Sequence, residues 1–277
     1  MARSSYAKRR KKSEDTRGYI IFVLVAVFLI TFIGIYFFVQ SRYVYLTEDT
    51  LCPVEGPDGH TAFLIDRTDT YSKIQISQIK KHLEQIQLDL PKYSELSIYD
   101  INDNPDDSLN PVFKMCNPGD GSDIGNWEQL ASNQDQIKTR YEDAFASKLE
   151  KTMDNMLLPN IEDTSPIFQM IKVVSVKAFP MKKTKYGNHL VIISDMLQNS
   201  DSYSHYSSKP NIKSFEKNDF YKEVYTDLNK AKVTVLYVWR KSTAQHQDNN
   251  HKNFWASVFA DLFNANKKTK DFFTIIN

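Results

Sequence analysis

Asp66, Thr68 and Thr70 stand at alternate positions just beyond the apolar run Ala62-Phe63-Leu64-Ile65. Asp195 follows a second such run, Leu190-Val191-Ile192-Ile193-Ser194. A carboxylate with hydroxyls two and four residues on, joined by a second carboxylate, makes an all-oxygen set. Oxygen donors of this kind suit a hard divalent cation such as magnesium or manganese. Both aspartates fall where an apolar strand gives way to loop, and in an open parallel sheet that edge forms the crevice where ligands bind. The plainer alternative is that Asp66 and Thr68 cap the helix that follows, since both residue types are common there. Capping does not account for Asp195.

The elements that must position these residues alternate. Residues 61–66 predict a buried strand, and 74–90 a helix with apolar residues at 76, 79, 83, 86 and 90. A second strand is expected over 96–101, followed by loop through the Pro-, Gly-, Asp- and Asn-rich stretch 102–126. A long amphipathic helix is expected over 133–157, and Ser165-Pro166 opens another, proline being tolerated in a first turn. Leu190–Ser194 is a near-continuous apolar strand, as in a sheet covered on both faces. A polar, tyrosine-rich insertion follows over 198–220; then come a strand, Val233–Trp239, and a closing helix, Asn253–Ala265. Phe254, Trp255 and Phe259 share helical spacing and belong to the core. Strands alternating with helices predict an α/β fold, a doubly wound and mainly parallel sheet.

With the elements in that order, the chain resembles the von Willebrand factor A-like family, whose metal-ion-dependent adhesion site uses D-x-S-x-S after the first strand. Here the motif reads Asp66-Arg67-Thr68-Asp69-Thr70, with threonine at both serine positions. The resemblance adds Thr164, in Asp163-Thr164-Ser165-Pro166, as the loop threonine, and Asp195 as the late aspartate. It implies a domain over 60–277 with insertions at about 102–132 and 198–231. It also implies magnesium or manganese held by Asp66, Thr68, Thr70, Thr164 and Asp195, with a partner protein's acidic residue completing the coordination. A haloacid-dehalogenase-like metal-dependent phosphatase is the enzymatic alternative. That chemistry needs a second acid two residues after the first, where this chain has Thr68. No G-x-S-x-G elbow, P-loop or H-E-x-x-H motif occurs. A third alternative is a structural assembly subunit whose cation site is vestigial. His246 and His251 lie in a polar stretch and are expected to be solvent-exposed.

Residues 19–39 form 21 consecutive residues without a charge. At 1.5 Å per residue they reach roughly 30 Å, the thickness of a bilayer's hydrocarbon core. Arg3, Lys8, Arg9, Arg10, Lys11, Lys12 and Arg17 precede them, against Glu14 and Asp15. That asymmetry predicts an uncleaved single-pass anchor, with residues 1–18 cytoplasmic and the remainder outside the cytoplasmic membrane. A cleaved signal peptide fits less well, because the run is long and no Ala-x-Ala-like site follows. Residues 40–59 are expected to form a short stalk.

The whole chain carries 35 basic and 34 acidic residues, while residues 1–17 alone carry seven against two. Subtracting +5 from +1 leaves about −4 on the rest, so nucleic acid is not an expected partner. The two cysteines, Cys52 and Cys116, both lie beyond the anchor, where an oxidising compartment favours a disulfide; the alternative is two unpaired buried thiols. No N-x-S/T sequon occurs, which favours a bacterial envelope over a eukaryotic secretory route. The function expected is therefore a membrane-anchored, divalent-cation-dependent protein-binding module within an envelope assembly.

Overall fold

The structure, a computed structural model, describes residues 3–41, 44–101, 110–122, 133–160, 162–266 and 272–277. It divides into two compact units, Met1–Tyr45 and Leu46–Asn277. In the first, α1 (Arg3–Gln40) is one uninterrupted helix. Its Gly18–Phe38 stretch, 21 residues with mean hydropathy 3.0, is long and apolar enough to cross a membrane. Phe22, Leu24, Phe28 and Phe32 are exposed around it. By length and composition it suits a membrane anchor and a signal sequence alike.

The second unit is built on one mixed sheet. Its strands are β1 (Gly59–Asp66), β2 (Ser94–Ile101), β3 (Phe113–Cys116), β4 (Gly187–Ser194), β5 (Lys232–Val238) and β6 (Phe273–Ile276). They lie in the order β3-β2-β1-β4-β5-β6. Every neighbouring pair is parallel except β2 and β3, which are antiparallel. Chain order reverses between β1 and β4, the kind of switch point whose carboxyl ends open a crevice.

Helices cover both faces, which is why the central strands read as continuous apolar runs. On one face Ala62, Leu64, Leu190 and Ile192 pack with Phe168, Trp255 and Phe259. These aromatics come from α4 (Ile167–Ala178) and from α7 (Asn249–Ser257), which continues as a π-helical turn over Val258–Leu262. On the other face Phe63, Ile65, Val191 and Ile193 pack with Ile79, Leu83, Phe145 and Leu149. Those residues come from α2 (Lys73–Leu88) and from α3, a helical run over 134–156 with a π-helical stretch at Arg140–Ala146.

Several elements differ from the sequence expectation. The stretch 102–126 is not all loop: Phe113–Cys116 forms edge strand β3, with Phe113 and Met115 turned into the core and Lys114 outward. Of that stretch, 102–109 and 123–126 lie outside the described residues. Strand β6 was not anticipated; it pairs with β5 from Val235↔Phe273 to Val238↔Ile276. The 198–231 segment is more than a surface insertion. It carries α5 (Ile212–Phe215) and α6 (Asp219–Val224), whose Phe215, Phe220 and Val224 are buried in the core. Residues 46–53, expected as stalk, belong to the compact unit: Leu46 bridges to Pro53, and Leu51 and Cys52 are buried.

Cys52 and Cys116 form a disulfide with their Cα atoms 4.8 Å apart. It ties the segment entering the domain to the end of β3, where Cys116 N–H also donates to the Thr50 carbonyl at 2.8 Å.

Candidate functional site

The crevice at the switch point is lined from four directions. Asp66 ends β1, Ser194 ends β4 with Asp195 next, the 162–166 loop precedes α4, and Arg240 lies two residues past the end of β5.

Asp66 is the hub and is only 4% exposed. Its Oδ1 accepts from Thr68 N–H at 3.2 Å and from the Thr68 hydroxyl at 2.7 Å. Its Oδ2 accepts from the Ser194 hydroxyl at 2.7 Å and the Ser165 hydroxyl at 3.2 Å. The Tyr71 hydroxyl donates to the Asp66 carbonyl. Each of the three hydroxyls on the carboxylate commits its only hydrogen there, so its lone pairs can face a cation or another donor.

Asp195 is held by a bent chain. Met196 adopts a left-handed backbone, φ 63°, which costs a residue other than glycine about 1–2 kcal/mol. Its N–H donates to Ser194 Oγ at 2.8 Å. Its carbonyl accepts from Trp255 Nε1 at 2.9 Å and His251 Nε2 at 3.0 Å. These bonds fix the turn that presents Asp195 to the crevice. Asp195 Oδ1 accepts from Leu197 N–H at 2.9 Å. Burial, and secondly the charge of Asp66, push the Asp195 carboxyl well above the usual carboxylate range, while Arg240 pulls it back.

Arg240 supplies the positive charge. Its Nε lies 3.3 Å from Asp195 Oδ2 and 3.6 Å from Asp69 Oδ2, with the side chain 13% exposed. Its Nη1 donates to the Thr70 carbonyl, and its guanidinium sits 5.6 Å from the centre of the Tyr71 ring. The backbone around it is clamped. Arg240 N–H donates to Gln247 Oε1 at 2.8 Å, and Gln75 Nε2 donates to the Trp239 carbonyl at 2.9 Å. Gln247 Nε2 reaches the Val238 carbonyl at 2.8 Å and the Asp195 carbonyl at 3.2 Å.

Of the five residues expected as ligands, Asp66, Thr68 and Asp195 face the crevice as buried side chains. Thr164 is half-buried, but the hydroxyl that reaches Asp66 from its loop belongs to the next residue, Ser165. Thr70 is exposed, and it is its carbonyl that enters the network. Helix capping does not occupy Asp66 or Thr68: Ser72 caps α2, in a reciprocal box with Gln75. His251 is buried, 1% exposed, contrary to the expectation of solvent exposure. Its Nδ1 lies 2.8 Å from the Tyr237 hydroxyl. Since Nε2 donates to the Met196 carbonyl, Nδ1 accepts from Tyr237 when the ring is neutral.

Sequence reasoning missed Ser165, Ser194 as a donor to Asp66, and Arg240. Each carried a signal. Ser165 adjoins the expected threonine, Ser194 ends the same strand that delivers Asp195, and Arg240 is the first cation beyond a strand of the same sheet edge.

The donor set fits a hard divalent ion in kind: two carboxylates and three hydroxyl oxygens. Among the described residues no three His, Cys, Asp or Glu side chains group as metal ligands, so hydroxyls would have to supply the rest. At the rim, Tyr206 and Trp239 are 43% and 37% exposed, and the Tyr206 ring stands edge-on to His246 at 5.2 Å. Burial raises the Tyr206 hydroxyl's pKa, helped by the charges of Asp195, Asp69 and Asp66. No protein-family model matches this chain, and no curated protein matches it.

Proposed function

We propose that this chain is a membrane-anchored, von Willebrand factor A-like module that binds a partner protein through a divalent cation, magnesium or manganese, in a bacterial envelope assembly. The observation that carries this is the Asp66 carboxylate gathering Thr68, Ser165 and Ser194 hydroxyls at the β1/β4 switch point, beside Asp195. Asp66 and Asp195 would hold the ion with those hydroxyls, which supplies a positive centre for an acidic side chain of the partner. Exposed aromatics at the rim, Tyr206 and Trp239, are residue types enriched in protein interfaces. The apolar stretch of α1, with seven basic residues before it, would anchor the domain outside the cytoplasmic membrane with the amino terminus inside.

The Arg240–Asp195 pair favours a second function, a structural assembly subunit whose crevice is partly charge-compensated from within. The two are separated by capturing partners with detergent-solubilised full-length protein in magnesium and in chelator. Cation-dependent capture that Asp66→Ala abolishes supports the adhesion module. Equal capture in both conditions, with Asp66→Ala unaffected, rejects it in favour of the structural subunit.

A further inference from the structure

We propose that Arg240 is a tethered counter-ion that competes with the divalent cation for Asp195, so that the crevice loads only when the guanidinium leaves. This rests on the cation-site proposal above. Asp195 has one oxygen already bonded, Oδ1 to Leu197 N–H at 2.9 Å. The other, Oδ2, is the one 3.3 Å from Arg240 Nε. A magnesium ion coordinates a carboxylate oxygen at about 2.0–2.1 Å. Placed on Oδ2 it would stand against a guanidinium in the same low-dielectric space, where like charges repel strongly.

Arg240 is built to occupy this position and also able to leave it. Its backbone is fixed on both sides, through Gln247 Oε1 and through Gln75 at the Trp239 carbonyl. Its side-chain bonding is weaker than its placement suggests. Among the described residues Nε is buried without a hydrogen-bond partner; Asp195 and Asp69 offset its charge at 3.3 and 3.6 Å without directed bonds. Asp69 is 52% exposed on its side chain and lies between β1 and α2. When a cation takes Asp195, Arg240 can turn outward with Asp69 and the Thr70 carbonyl as its remaining partners. The displaced guanidinium then stands at the rim, where it favours an acidic partner over a basic one. The site thus supplies part of its own counter-charge without a cation and links loading to exposure of a positive rim.

The test is manganese binding to the full-length protein in detergent, followed by the electron paramagnetic resonance of the free ion, with Asp66→Asn defining the site-specific fraction. Arg240→Gln should bind manganese at least tenfold more tightly than the wild type, and Arg240→Lys, which keeps the charge, should stay within a few-fold of it. In chelator Arg240→Gln should melt below the wild type, and manganese should raise its melting temperature more. Because Arg240→Gln removes the crevice's counter-charge and can fail to fold, a second measurement uses the wild type alone. The Arg240 Nε–H resonance, assigned by its loss in Arg240→Lys, should become solvent-exchanging on magnesium saturation. Equal manganese affinity in wild type and Arg240→Gln, or an unchanged Nε–H signal at saturation, overturns the competition while leaving the cation site standing. Failure of both proteins to show Asp66-dependent manganese binding overturns the cation site itself, and the competition with it.

Discussion

Breaking the Cys52–Cys116 bridge should cost the domain about 4 kcal/mol. The cysteines are 64 residues apart in sequence, and the chain-entropy relation for a loop of that size gives roughly 4.3 kcal/mol at 25 °C. The loop encloses β1, α2 and β2, so opening the bridge lets that stretch of chain reach more conformations in the unfolded ensemble. In the folded state the bridge also holds β3, a four-residue strand paired among the described residues with β2 alone, against the segment carrying the buried Leu51. The assay is urea unfolding of a soluble fragment starting at residue 46, compared between wild type and the Cys52→Ala/Cys116→Ala double variant. With an m-value near the top of the usual range, about 3 kcal/mol per molar, the midpoint should fall by about 1.4 M. A drop below about 0.3 M would refute the reasoning, as would free alkylation of both thiols in protein purified from membranes.

Three further outcomes follow from the packing and the site. Burial holds the His251 imidazole down to about 4, against about 6.5 in the unfolded chain. Between those values the unfolded state binds the extra proton, so this group's contribution falls as pH falls. The loss is about 2 kcal/mol from neutral pH to pH 5, and His251→Gln should remove it in parallel urea titrations; an unchanged pH slope would rule it out. Asp195 acts with the opposite sign, its raised pKa costing stability as pH rises, but it is common to both proteins and cancels in the comparison. Phe168 is fully buried and stacks on Trp255 and Phe215 at 4.3 and 4.8 Å. Phe168→Ala should therefore cost about 3–5 kcal/mol, and a loss under 1 kcal/mol would contradict the packing. Ser165→Ala should weaken manganese binding by about tenfold, and Thr164→Ala much less; the reverse order would return the loop ligand to Thr164.

The central strands and their two aspartates were legible because burial on both faces writes an uninterrupted apolar run, and each run ended on a carboxylate. What the sequence hid was fixed by tertiary partners. Strand β3 has four residues and one neighbour, so its Phe113/Met115 alternation is too short to rise above the proline and asparagine around it. His251 sits in the polar string Asn249-Asn250-His251-Lys252-Asn253, and only the folded chain brings Tyr237 and the Met196 carbonyl to it. The loop hydroxyl came out one residue late because a motif fixes order along the chain, whereas the Asp66 contact depends on how the loop turns into α4. Arg240 was hidden because an oxygen-ligand pattern carries no cation, and the counter-charge comes from just past β5, a strand without a carboxylate at its end.

The most direct test of the cation site is the thermal stability of the residue 46–277 fragment in magnesium or manganese against chelator. A cation at a hundredfold its dissociation constant should stabilise the fold by about 2.7 kcal/mol. For a domain of this size that is a rise of about 5–10 °C in Tm. Asp66→Ala should abolish the rise, since it removes the carboxylate on which three hydroxyls converge, while Asp69→Ala should leave most of it. A wild-type Tm that is the same in millimolar cation and in chelator, with partner capture intact in chelator, would contradict the cation-dependent account and leave Arg240 as the crevice's permanent counter-charge.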